Sequence, residues 1–348
     1  MRRCMTRQIV QTLVISVVVL APILATSLCG QTTRSDDPVE GLIIQSLRDS
    51  DESARSRAIY RLRNVRPTTD EIILALGQVV DKDASATVRG AAVHVIGGIV
   101  KSDAQVAIVL PVLLARVRDA KEQPRLRESI VTMLAKIAPG DVGVRHALGQ
   151  LVQAQQETVG IRVRAADRLG SMSVGGNENL QGLRQLARTE ESDDVRVALW
   201  GAIVDLLPGD EEAVDVLISL AQSRRDLPGT LRSKAIRILG DARLARIMPI
   251  LVEALDDEHP EVTAFAAIAL GHYGSQAKTA IPSLIDFFRN TPAQGDGLSL
   301  RALTLVALAE IDPASPVVLE LIQTMADSDP NEQLRDHAMK ILARIGRD

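Results

Sequence analysis

The sequence predicts an all-α chain, folded as a right-handed α-α superhelix of about nine two-helix repeats. Three observations predict it. An Arg that follows an aliphatic residue recurs along the chain at a mean spacing of 35 residues. Positions at fixed offsets from that Arg are filled by one residue class in repeat after repeat. The whole chain holds six aromatic side chains, so its core must be built from Leu, Ile, Val and Ala, which suits close helix packing better than a β-sandwich.

The recurring residue stands at Arg55, Arg89, Arg127, Arg162, Arg196, Arg232, Arg301 and Arg335, with Thr263 in its place in repeat seven. One residue before it stand Ala54, Val88, Leu126, Ile161, Val195, Leu231, Val262, Leu300 and Leu334. Seven residues after it every repeat has Leu or Ile, from Leu62 to Leu342. Three after it six of the nine have Ala (Ala58, Ala92, Ala165, Ala235, Ala266, Ala338). Offsets −1, +3 and +7 share one helical face, and Ala in the middle of that stripe lets a neighbouring helix come close. Upstream of each anchor lies a second amphipathic helix, as in 42–49, 72–81, 109–120 and 247–257, and a polar turn separates the two. Each unit is therefore a helical hairpin whose apolar surface exceeds what two helices cover, and only stacking on the next unit buries it.

The pattern resembles HEAT repeats, in particular the short bacterial variety associated with bilin lyases, over roughly residues 40–346. Members of that family carry an acidic residue six before the Arg, and here that offset holds Asp49, Asp83, Glu190, Asp226, Asp257 and Asp329. Lys121, Gln156 and Gly295 depart from it. The family's first-helix proline has counterparts in Pro111, Pro249 and Pro282. The resemblance implies that acid and Arg form a hydrogen-bonded ladder between adjacent repeats, since a carboxylate at a helix N-terminus is favoured by the dipole and pairs well with a guanidinium. On that reading the Arg row is structural and not a phosphate-binding strip.

Three segments are expected: a signal peptide or signal anchor over 1–30, a polar linker over 31–39, and the solenoid over 40–347. Arg2, Arg3 and Arg7 precede the apolar run Ile9–Ala25, and Ala25-Thr26-Ser27 offers small residues at −3 and −1 of a cleavage site. An uncleaved anchor is the alternative, as is lipidation at Cys29, although Leu28 is bulky for a lipobox. Such a segment implies export to the periplasm or cell envelope, with membrane attachment only through these residues. Both cysteines, Cys4 and Cys29, fall here, so the rest of the chain has no disulfide, thiol nucleophile or thiolate-bound metal. The formal charge is −4, and without Arg2, Arg3 and Arg7 it is −7, which disfavours nucleic acid as a partner.

The sequence offers no catalytic constellation and implies no cofactor. It has no phosphate loop, no dinucleotide fingerprint, no nucleophile elbow and no HExxH. None of the five His residues is followed by Glu, so the iron-binding dyads of deoxyhypusine hydroxylase are missing. The densest polar cluster is Asp256, Asp257, Glu258, His259 and Glu261 with His272 nearby; it reads as the solvated turn of repeat seven. Trp200 lies at the edge of the packed stripe and reads as packing. The glycine-rich stretch 170–179 reads as a connection between repeats four and five.

Solenoids bind through the concave side lined by their second helices. Offsets +2, +5 and +9 point away from the buried stripe and carry Arg164, Asp167, Lys234 and Arg237 in repeats four and six. Repeats seven and eight place Phe265, Ile268 and His272, then Leu303 and Val306, at these offsets. Apolar groups where the period predicts water suggest an interaction site. The expected function is a non-catalytic exported scaffold that binds a protein or peptide with Lys234, Arg237, Phe265, Ile268, His272, Leu303 and Val306. A bilin-lyase-like chromophore attachment factor and a purely structural envelope component are the alternatives.

Overall fold

The computed structural model describes residues 38–172, 176–224 and 226–346. The N-terminal segment expected over 1–30, with Cys4 and Cys29, lies outside them. Among the described residues there is no strand. The helices come in nine pairs: α1 Pro38–Ser46 with α2 Glu52–Leu62, α3 Asp70–Lys82 with α4 Ala86–Ile99, and α5 Asp103–Arg118 with α6 Pro124–Ile137. Then follow α7 Val142–Gln153 with α8 Val159–Ser171, α9 Gly176–Thr189 with α10 Asp193–Leu206, and α11 Glu211–Gln222 with α12 Gly229–Asp241. The last three pairs are α13 Met248–Ala254 with α14 Pro260–His272, α15 Ile281–Asn290 with α16 Asp296–Ile311, and α17 Pro316–Ser328 with α18 Glu332–Ile345. No helix among the described residues is long and apolar enough to cross a membrane.

Local chemistry fixes where these helices begin. The Asp141 and Asp210 carboxylates accept from the Val144 and Ala213 N–H groups at 2.8 and 2.9 Å, and Asn331 and Asp51 cap α18 and α2 in the same way. Pro249 and Pro282 sit at the first positions of α13 and α15, where a missing N–H costs nothing. Pro111 differs, because α5 starts well upstream of it and leaves it in the helix interior. Two expectations shift. Helix α1 begins at Pro38, two residues inside the expected linker. The stretch 170–179 is helical at both ends, since α8 runs to Ser171 and α9 starts at Gly176.

The chain divides into two compact units at Leu113/Leu114, within α5. In the first, α2 packs on α4, each beside its own first helix. Its core is aliphatic: Ile59, Leu62, Ile72, Ile73, Leu76 and Ile96 are fully buried. In the second unit the second helices form an unbroken row, α6 on α8, α8 on α10, and so on to α16 on α18. The face with offsets −1, +3 and +7 is the one they bury: the +3 residue is buried in all nine repeats, including Thr304. Trp200 is part of this core.

A closer fit within the row lies at another offset. At +8, repeats two, four, six and seven have glycine. Gly170 lies against Ala202, Gly240 against Ala269 and Gly271 against Ala307, each alanine standing at +6 of the following repeat. A Cβ on Gly170 would come within 2.5 Å of the Ala202 backbone, so only glycine permits that helix spacing.

Candidate functional site

Two side-chain systems repeat along the second helices. The first joins neighbouring repeats through Arg and an acid. Arg55 Nε donates to Asp83 Oδ2 at 2.7 Å, and its other terminus reaches the Asp49 and Ser50 carbonyls at 2.9 and 3.2 Å. Arg232 donates to both Asp257 oxygens at 3.1 and 2.7 Å and to the Leu227 carbonyl at 2.6 Å. Arg162 pairs with Glu190 and donates to Val152 O at 2.9 Å; Arg301 pairs with Asp329 at 3.3 Å and stacks over Phe288. In each case one guanidinium holds the acid of the next repeat and a carbonyl at the end of its own first helix or turn, groups the helix leaves without partners. The acid in turn accepts from the N–H two residues on: Ser85 on Asp83, Ser192 on Glu190, His259 on Asp257 and Asn331 on Asp329, all at 2.8–2.9 Å.

Departures from the repeat are accommodated in different ways. Gln156 has no charge to offer, but Glu157 beside it takes Arg127 in two bonds of 2.7 and 2.6 Å. Likewise Glu122, next to Lys121, is buried and lies 4.0 Å from Arg116. Arg196 pairs with Asp193 in its own helix rather than with Asp226, which is exposed in the turn before α12. The near carboxylate captures Arg196 before the far one is reached. Arg89 donates to the Asp83 carbonyl at 2.6 Å, and Arg335, in the last repeat, donates to the Asp329 carbonyl at 2.7 Å. Asp49, in the first repeat, accepts from the Asp51 N–H. Thr263 is the one anchor that is not Arg, and Gly295, at the acid position of the next repeat, has only the exposed Asp296 beside it.

Burial alone would raise the Asp257 carboxyl, but the Arg232 guanidinium, the His259 N–H and Arg224 outweigh it and hold the group below the usual carboxylate range. A depressed folded-state value stabilises the fold above the unfolded value and loses that contribution as pH falls through the folded one. The stability gap between the wild type and Asp257→Asn, read by urea unfolding, is therefore expected to be full near neutrality and to close below about pH 4. A gap that stays constant down to the acid limit would contradict the pairing.

The second system is the outward face of the second helices. Lys234 and Arg237 are exposed there, and Lys234 lies 3.9 Å from Asp194 in the preceding repeat. Asp167 is half-buried, and burial raises its carboxyl against the pull of Lys234, Arg168, Arg164 and Arg237. Asp205 is raised by the crowded protein around it and by Asp167 and Asp241, against Arg237. Offsets +5 and +9 thus bring acids and bases of repeats four to six onto one patch. Asp205 and Asp241 sit at +9, and single-repeat reading gave no reason to single them out. Phe265, Ile268, Leu303 and Val306 are all half-buried and His272 is exposed. The four apolar groups form a partly covered stripe, because neighbouring helices shade positions that an isolated helix would expose.

Among the described residues no three His, Cys, Asp or Glu side chains are grouped so as to hold a metal. Asp257 is committed to Arg232. With the fold in place, residues 214–296 match the family model for HEAT repeats. No curated protein sequence is significantly similar to the chain. Among solved structures the fold is similar to importin beta, with 14% identity and a TM-score of 0.58 over 89% of this chain and 46% of that one. Kap121p bound to Pho4p gives 16% identity and a TM-score of 0.50 over 88% of this chain and 41% of that one. The chain therefore spans about half the length of these proteins or less. The CpcE–CpcF complex of phycocyanin lyase from Nostoc sp. PCC7120 matches over 71% of this chain and 94% of that one, at 17% identity and a TM-score of 0.45, too distant to bear on activity. The protein is an all-α, HEAT-like solenoid.

Proposed function

We propose that this chain is an exported, non-catalytic scaffold that takes a protein or peptide on the surface of its second helices, centred on repeats six to eight. The observation that carries the reading is the juxtaposition on consecutive repeats of exposed Lys234 and Arg237 with the half-buried stripe Phe265, Ile268, Leu303 and Val306. Hydrophobic area beside fixed charge is the usual make-up of a protein-binding surface. Kap121p, a solenoid of similar fold, is seen bound to Pho4p, which supports a protein as the class of partner.

Capture of a partner from an envelope extract tests the proposal with two variants. Lys234→Glu with Arg237→Glu changes only exposed groups, so the protein should fold as the wild type does and lose capture. Phe265→Ser with Leu303→Ser should weaken capture by about tenfold or more while costing about 1–3 kcal/mol of stability, since both side chains are half-covered. Wild-type capture by the charge-reversed protein would overturn the reading. So would collapse of the fold in the double serine variant, because the stripe would then be core.

A further inference from the structure

Repeats seven and eight are joined differently from their neighbours. In the first unit Arg55–Asp83 crosses from repeat one to repeat two. In the second, Arg127–Glu157, Arg162–Glu190, Arg232–Asp257 and Arg301–Asp329 each cross a step between repeats. From repeat five to repeat six, where Arg196 stays on its own helix, the first helices are tied instead. There Arg188 holds Glu212 in two bonds of 2.7 and 2.6 Å, and Arg184 pairs with Asp210. Around the next step but one, Thr263 donates to the Pro260 carbonyl, Tyr273 to the Leu244 carbonyl and Arg301 to the Thr291 carbonyl, while Lys278 pairs with Asp312. None of these links repeat seven to repeat eight, and among the described residues no other side-chain hydrogen bond or ion pair does so.

The apolar contact at this step is uneven. Near the C-terminal ends of the second helices it is tight, since a Cβ on Gly271 would come 3.0 Å from the Ala307 backbone. At the turn end it is incomplete. The −1 residue is buried in repeats two to seven and in repeat nine, but Leu300 in repeat eight is only half-buried. Leu300 and Thr263 line a hollow of about 450 Å³ between the two repeats. A hollow of about 510 Å³ also lies between repeats one and two, but there Arg55 and Asp83 meet in its wall.

Apolar contact is non-directional, whereas a guanidinium held by a carboxylate and a carbonyl fixes an angle. A joint with apolar contact alone, tight at one end and open at the other, permits rotation about the tight end. We infer that the step between repeats seven and eight is a hinge, pivoting at Gly271 and Ala307, on which repeats eight and nine swing against repeats four to seven. Repeats eight and nine move together because Arg301 holds Asp329 across their own step. The hinge lies beneath the apolar stripe: Phe265 and Ile268 belong to one side of it, Leu303 and Val306 to the other. Its opening therefore sets the spacing within the surface proposed above to bind a partner. That consequence rests on the binding reading; the hinge does not, and it is measured with no partner present.

Electron–electron double resonance on the full chain, with Cys4 and Cys29 changed to Ser, tests it. Spin labels at Gln150→Cys and Ala245→Cys span the three steps from repeat four to repeat seven, all with polar links. Labels at Ser219→Cys and Ser328→Cys span the three steps from repeat six to repeat nine, and all four positions are exposed. The second pair is expected to give a distance distribution about twice as wide as the first, or wider. Thr263→Arg brings a guanidinium toward Asp296, which stands at the offset from which Glu157 takes Arg127, and should narrow the second distribution to the width of the first. Should that buried substitution unfold the protein, the comparison of the two pairs in the otherwise unaltered chain decides alone. Equal widths for the two pairs would overturn the inference, as would a folded Thr263→Arg protein whose second distribution stays broad.

Discussion

Arg232→Met is expected to destabilise the protein by about 3–5 kcal/mol, with the loss centred on repeats six and seven. The substitution keeps most of the side-chain volume but leaves Asp257, 8% exposed, without its bidentate partner. It also removes the donor to the Leu227 carbonyl. The penalty is mainly that of an uncompensated buried carboxylate, which exceeds what the intact pair contributes. Arg196→Met is the control. Its partner Asp193 is on the same helix and both are part-exposed, so the cost there should be within about 0.5 kcal/mol. Urea unfolding gives the totals, and amide exchange in α12 and α14 locates the loss, which matters because repeat arrays do not always unfold as one unit.

The second large effect is expected at Gly170. Alanine there pushes against the Cα of Ala202, which cannot move without displacing the whole of α10, and should cost about 1–3 kcal/mol by overpacking. Gly240→Ala runs into the Cβ of Ala269, which is fixed to the backbone of α14, and should cost a similar amount. Gly98→Ala, on the exposed side of α4 with nothing within 4 Å, should instead stabilise by about 0.5–1 kcal/mol through helix propensity alone. One substitution type thus gives opposite signs according to whether another helix lies against the glycine. No destabilisation at Gly170 would show that the second helices do not approach as closely as described, and destabilisation at Gly98 would show that its side of α4 is not open.

Fold class was legible from the sequence because it rests on periodicity, and nine copies of one pattern outweigh irregularities in any of them. The partners of individual anchors were less so. A fixed offset of six finds Asp83, Glu190, Asp257 and Asp329, but a guanidinium reaches far enough to donate to a carboxylate one position away, as Arg127 does to Glu157. It will also take a nearer one, as Arg196 does with Asp193. The Gly170–Ala202 fit involves two offsets in different repeats, +8 and +6, and no single-repeat alignment relates them. The outward face was only half legible. Offsets +2, +5 and +9 mark positions that are exposed at Lys234, Arg237 and His272, yet how far Phe265 or Leu303 is covered depends on helices from adjacent repeats.

If the recurring arginines hold one repeat to the next and do not form a binding strip, a double-mutant cycle on Arg232 and Asp257 measures that most directly. Arg232→Met, Asp257→Leu and the double variant should show a coupling of about 2–3 kcal/mol, the double losing far less than the sum of the singles. Losses that add to within about 0.5 kcal/mol would contradict it, since the two side chains would then act independently.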